Sequence, residues 1–292
     1  MKKISGLNFG ISLAVAFFVL LNFFPISVIA GQGIPQRVIS LSPIITETIY
    51  LVGAQDSLIA DTTYCNIPEE AMFKEKIGSV IQMNVEKIIQ LHPDLVIASP
   101  LSREKQLMLL ERQSISVFRA LNPKTFSQMC DMTLTIGQKL GREQSARQIV
   151  EQAQKEVDAI WVKTRGLETP KVFLQIGLKP LHSANKEMFI NEYIRYGGGI
   201  NIAENESSGI YSREKVITHN PGIILIATMG SSKKAGELEK LRWMTFKTID
   251  AVKQNRVFVL DPEMICSPTP TTFVAGLKSI LSLIHPEVVF DE

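Results

Sequence analysis

Six side chains in this sequence could grip a metal-bearing guest: Tyr64, Cys65, His182, Glu263, Met264 and Cys266. They offer phenol, thiol, imidazole, carboxylate and thioether donors, a mixture suited to transition metals. Their spacing matches no metal-ligand motif, so they act together only if the fold converges them. Direct ligation would fall to Tyr64, His182 or Cys266. Cys65 and Cys266 could instead form a disulfide if their Cα atoms approach within about 7 Å. Cys130, in a helical stretch with Met129 and Met132, reads as core, and His92, His219 and His285 read as structural. No G-x-S-x-G elbow, P-loop, dinucleotide fingerprint or H-E-x-x-H motif is present, so an enzyme is not expected.

A second set of chemically pointed residues comes as a pair. Residues 85–99 read VEKIIQLHPDLVIAS and residues 213–228 read REKVITHNPGIILIAT. Glu86 and Glu214 are 128 positions apart, and so are Pro93 and Pro221. Each segment predicts a short helix stopped by proline, then a buried strand. Two such units at one offset predict two similar lobes.

The elements that would position these residues follow the same division. Arg37–Leu41 predicts a strand and Thr46–Val52 a helix ended by Gly53. Lys171–Ile176 predicts a strand, and Glu187–Tyr196 a helix ended by Gly197-Gly198-Gly199. Strands and helices alternate in both halves, which predicts parallel sheets covered by helices. Between Gly141 and Gly166 no Gly or Pro interrupts Glu143–Arg165, and Ile149, Ala153, Val157 and Ile160 recur at helical spacing. The expected architecture is α/β: two parallel-sheet, Rossmann-like lobes (36–141 and 170–292) joined by one long rigid helix (142–166), with a ligand cleft between them. Loops at the carboxyl ends of the strands should line that cleft, Ser42 and Pro43 among them.

The first thirty residues form an address. Lys2 and Lys3 precede an apolar run from Ile11 to Phe24, and Val28-Ile29-Ala30 makes a small-residue cleavage site. The run is short for a membrane span of about 20 residues, so cleavage after Ala30 and export are expected. No cysteine follows the run to carry a lipid anchor. Without Lys2 and Lys3 the 31 basic residues become 29, equal to the 29 acidic ones. A neutral chain has no field for nucleic acid.

Six segments in order carry a resemblance: RVISLSPIITE (37–47), MNVEKIIQLHPDLVIA (83–98), KVFLQIG (171–177), GGGINI (197–202), YSREKVITHNPGIILI (211–226) and VFVLDPEMICSPTP (257–270). The chain resembles the periplasmic substrate-binding proteins of ABC importers for vitamin B12 and iron–siderophores, and within them the vitamin B12-binding branch. The resemblance implies a monomer with little hinge closure. It implies that Glu86 and Glu214 dock on the two subunits of an inner-membrane permease dimer driven by a cytoplasmic ATPase. The implied cargo is a small-molecule metal chelate, a cobalamin or other corrinoid, with ferric siderophore or haem as alternatives. No catalytic cofactor is implied. Tyr64 stands where relatives place an aromatic on the corrin, and Asp261 matches a ligand-contacting Asp. Val80 and Ser208 stand where relatives carry Trp, and His182 where they carry an aromatic. Cys65, Glu263 and Met264 border the same cleft.

Overall fold

Runs such as Leu95-Val96-Ile97-Ala98 and Ile223-Ile224-Leu225-Ile226 are apolar on both faces, which suits strands covered on both sides. Both are wholly buried strands. The structure, a computed structural model, describes residues 33–228, 233–266 and 268–288. The proposed leader and its cleavage point lie outside the described residues.

The first half runs β1 (Val38–Ser40), α1 (Pro43–Leu51), β2 (Leu58–Asp61), β3 (Glu75–Lys76), α2 (Val85–Gln90), β4 (Leu95–Ala98), α3 (Glu104–Arg112), β5 (Ser116–Arg119) and α4 (Phe126–Lys139). After α5 (Glu143–Thr164) come β6 (Lys171–Gly177), β7 (His182–Ser183), α6 (Ile190–Tyr196), β8 (Ile200–Asn201), α7 (Arg213–His219) and β9 (Ile223–Ile226). The chain ends with α8 (Lys233–Trp243), α9 (Asp250–Lys253), β10 (Val257–Val259), α10 (Pro262–Cys266) and α11 (Pro270–Ile284). The first sheet is ordered β3-β2-β1-β4-β5 and is parallel throughout. The second is ordered β10-β9-β6-β7, with β8 also on β6. Here one expectation is corrected: β7 runs antiparallel to β6. The turn between them is too short for the crossover that a parallel partner needs.

The two halves match in detail. Val38 pairs with Leu95 in the first sheet as Val172 pairs with Ile223 in the second. The helix before each central strand ends on a left-handed residue ahead of its proline, His92 at φ 45° and Asn220 at φ 48°. These two positions again lie 128 apart. Some boundaries differ from expectation. α1 begins at Pro43, whose fixed φ suits a first helical turn. α6 begins only at Ile190, because the Asn185 side chain takes the Glu187 amide (3.0 Å) and holds a turn there.

The expected connector is α5, 22 residues and about 33 Å long. It does not act alone. α4 packs along it, giving Met132 and Ile136 to the first-lobe core and Phe126, Met129 and Cys130 to the second. Phe126 stacks on Phe273 of α11 (4.9 Å), which stacks on Tyr193 of α6 (4.4 Å). The Phe126 amide donates to buried Glu192 of α6. From Ile34 onward the chain is one compact unit, so both sheets share a packed body.

Candidate functional site

In the first sheet the strand order reverses between β1 and β4, so their following loops diverge and leave a crevice. A cavity of 320 Å³ opens there. Ser42, Pro43 and Ile44 follow β1, Ser99, Pro100 and Leu101 follow β4, and Leu121, Asn122 and Pro123 follow β5. The second lobe closes the cavity with Met188, Phe189 and Ile190 at the start of α6, and with Cys266. None of the described lining residues is charged. Val80 enters from a loop shaped by Gly78, whose φ is 101° and where a Cβ would stand 2.4 Å from the Gln82 carbonyl oxygen. Only glycine fits that backbone.

Of the residues singled out in sequence, Ser42, Pro43, Val80 and Cys266 line this cavity. Tyr64 does not; it is 63% exposed on the loop after β2. Cys65 is fully buried inside the first lobe, its sulfur 3.2 Å from both Thr46 Oγ1 and Thr62 Oγ1. Cys65 and Cys266 are both free thiols, so the disulfide considered above is not formed. His182 lines a separate groove on the second lobe, its Nδ1 3.1 Å from the Pro180 carbonyl oxygen. Ser208 is exposed and its hydroxyl accepts from the Ile210 amide (3.3 Å). Asp261 accepts from the Glu263 amide (2.9 Å) and so holds the start of α10. Met264 packs against the second-lobe core, and its carbonyl oxygen lies 3.4 Å from the Tyr193 hydroxyl. The possible donor set therefore does not converge: among the described residues no group of three or more His, Cys, Asp or Glu could hold a metal ion.

The residues missed in sequence are apolar: Leu101 and Leu121, 67% and 82% exposed, with Met188 and Phe189. Their signal was positional: Leu101 and Leu121 stand in loops after strands β4 and β5, and Met188 and Phe189 directly before α6. Glu47 was also missed. Burial, and then the Glu263 carboxylate of the second lobe, push its carboxyl up to about 8. The Cys266 thiol is pushed up to about 12 by burial and then by Asp261, so its sulfur meets the cavity uncharged at neutral pH.

Glu86 and Glu214 are both exposed and hold the same helical position. Asn84 caps α2 by accepting from the Lys87 amide (2.9 Å), and Ser212 caps α7 by accepting from the Lys215 amide (3.2 Å). Each Glu follows its cap by two residues, where an acid is stabilised by the helix dipole. The backbone amide of Glu214 and the Ser212 hydroxyl hold the Glu214 carboxyl below the usual carboxylate range.

A sequence profile described as "Periplasmic binding protein" matches residues 38–264. The chain belongs to this family. Among relatives of this periplasmic binding protein is YvrC of Bacillus subtilis strain 168, an ABC transporter substrate-binding lipoprotein. It is 28% identical over 87% of this chain and 81% of its own length. A vitamin B12-binding protein of Vibrio parahaemolyticus is 27% identical over 88% of this chain and 92% of its own length. The fold matches that of HutB, a periplasmic haem-binding protein of Vibrio cholerae, at a TM-score of 0.77. The match covers 86% of this chain and 99% of HutB at 20% identity. Members of the family bind substrates for transport. Among the described residues no helix is long and apolar enough to cross a membrane.

Proposed function

We propose that this protein captures a metal chelate, foremost a corrinoid, and delivers it to an inner-membrane ABC permease. The observation that carries the reading is the uncharged, largely aliphatic cavity between the lobes at the carboxyl ends of β1, β4 and β5. A chelate encloses its metal in its own donors and presents apolar faces, which such a lining accommodates. A naked ion would need converging carboxylates, imidazoles or thiolates. The relatives named for vitamin B12 support the corrinoid as first cargo. Haem or a ferric siderophore is the second reading, and the siderophore is favoured by Phe189 being the single aromatic side chain among the described lining residues. A flat macrocycle, corrin or porphyrin, is usually held by several aromatic faces.

Calorimetry with cyanocobalamin, haemin and a ferric hydroxamate separates the readings. Cyanocobalamin is expected to bind, and Leu121→Asp to weaken it about tenfold or more by placing a charge against an apolar face. Heat from haemin or the hydroxamate alone moves the cargo to the second reading. Export completes the proposal: mass spectrometry of the mature protein is expected to find Gly31 at its N-terminus. An intact Met1 would overturn it.

A further inference from the structure

A second cavity, of 730 Å³, opens where β6 ends. Ile176, Gly177 and Leu178 line it, with the His182 ring beside Gly177; a Cβ on Gly177 would stand 3.0 Å from the His182 Cβ. β6 is the second-lobe counterpart of β1, and the second sheet reverses its order between β6 and β9. The groove thus stands on the β6 side of that sheet's crevice, the place where α/β sheets hold ligands. Met188 lines both this groove and the interlobe cavity, so the two spaces adjoin at that side chain.

The two spaces differ in charge. Lys179 and Arg242 line the groove, and no carboxylate does among the described residues. Behind Arg242 lies Glu239, fully buried. Its carboxylate accepts from Arg242 Nη1 (3.0 Å), from Gln175 Nε2 (3.0 Å) and from Arg213 Nη2. One acid is therefore shared by two guanidiniums, and Arg213 Nη1 is buried without a partner. Lys179 adds a third cation. Lys179 and Arg242 face the groove, and Arg213 behind them shares the one acid, so the cluster of three cations and Glu239 is net positive.

We propose that this groove is a subsite for an anionic arm, a carboxylate or a phosphate, of a guest whose apolar body fills the interlobe cavity. The proposal rests on the chelate reading above and narrows it to chelates bearing such an arm. Arg242 presents a planar fork suited to either anion, and Lys179 a mobile point charge. Both remain solvent-accessible, which limits the gain and makes it sensitive to salt.

The test compares two pairs of probes by calorimetry: haemin with its dimethyl ester, and cyanocobalamin with dicyanocobinamide, which lacks the phosphate together with its ribose and dimethylbenzimidazole. The protein is expected to prefer the acidic member of one pair by about tenfold. A preference within a pair that loss of Lys179 and Arg242 removes identifies carboxylate or phosphate as the arm. Combined Lys179→Ala and Arg242→Gln is expected to abolish the preference; because Arg242 also pairs with buried Glu239, Lys179→Ala alone is the control, expected to weaken the preference with the Tm unchanged. Equal affinity within both pairs, or a preference that survives the double variant, overturns the subsite. If none of the four probes binds, and the ferric hydroxamate does not bind either, the chelate reading fails. The subsite is then decided by NMR with succinate and inorganic phosphate. Shifts at the Lys179 and Arg242 side chains support it, and their absence overturns it.

Discussion

Glu47 carries a carboxyl that the fold keeps protonated. It sits on α1, half-buried toward the second lobe, and Glu263 of α10 is the like charge it senses. Its value rises from the ordinary 4.5 to about 8. Between those limits the native state holds a proton that the unfolded chain has released, so stability falls as pH rises and levels off above about 8. Glu47→Gln removes that slope. Urea unfolding at about pH 5 and pH 9 should show the wild type losing on the order of 2 kcal/mol relative to the variant, a figure reduced for solvent access. Parallel profiles would mean that the carboxyl titrates normally. Residues of this kind are hard to read in sequence. Glu47 lies within a recognisable segment, yet its partner is over two hundred positions away and meets it only through the packing of the lobes. Leu101 and Leu121 were hidden for another reason: an apolar residue in a loop looks like ordinary surface until the cavity beside it is known. Ser42, Pro43 and Val80 were legible because loops at strand ends are where such sheets bind.

At the scale of elements, the repeat is clearest in α2 and α7. Both have a side-chain cap, a Glu at the second helical position, a Lys at the third and a left-handed residue before proline. Capping, chain reversal and the Lys87–Glu75 and Lys215–Glu206 ion pairs account for the other residues; the Glu, favoured there by the helix dipole, is exposed and has no ion-pair partner among the described residues. Equivalent acids on two similar lobes suit a two-fold permease. Glu86→Lys combined with Glu214→Lys is therefore expected to abolish cargo uptake in cells while calorimetric affinity stays within about twofold, because neither residue lines the cavity. Full uptake by the double variant would remove the docking role. This element-level symmetry was the part of the fold most legible in sequence, since proline position and buried-strand composition are local properties. The antiparallel β7 was not legible. Two residues carry too little pattern to declare a direction, and only the short turn after β6 decides it.

For the whole molecule, the central question is whether the lobes move about their joint. One exposed helix could bend, but here α4 and α5 lie side by side, and each sends side chains into the cores of both lobes. The stack of Phe126 on Phe273 on Tyr193, with Glu192 holding the amino end of α4, would have to break for the lobes to swing. Opening that seam exposes large apolar area, at a cost of several kcal/mol that a guest in a 320 Å³ cavity is poorly placed to offset. The lobes should therefore stay fixed. Spin labels at Gln90→Cys and Thr218→Cys, equivalent exposed sites on α2 and α7, in a Cys266→Ser background, report the distance directly. Adding the cargo identified by calorimetry is expected to shift that distance by less than about 2 Å, as in preorganised complexes. Phe126→Ala, which removes the centre of the stack, should broaden the distribution in the unliganded protein and lower stability by about 3 kcal/mol. A wild-type distance that divides into two populations, or moves by many ångströms on binding, would show that the joint is a hinge and that the paired helices do not hold the lobes.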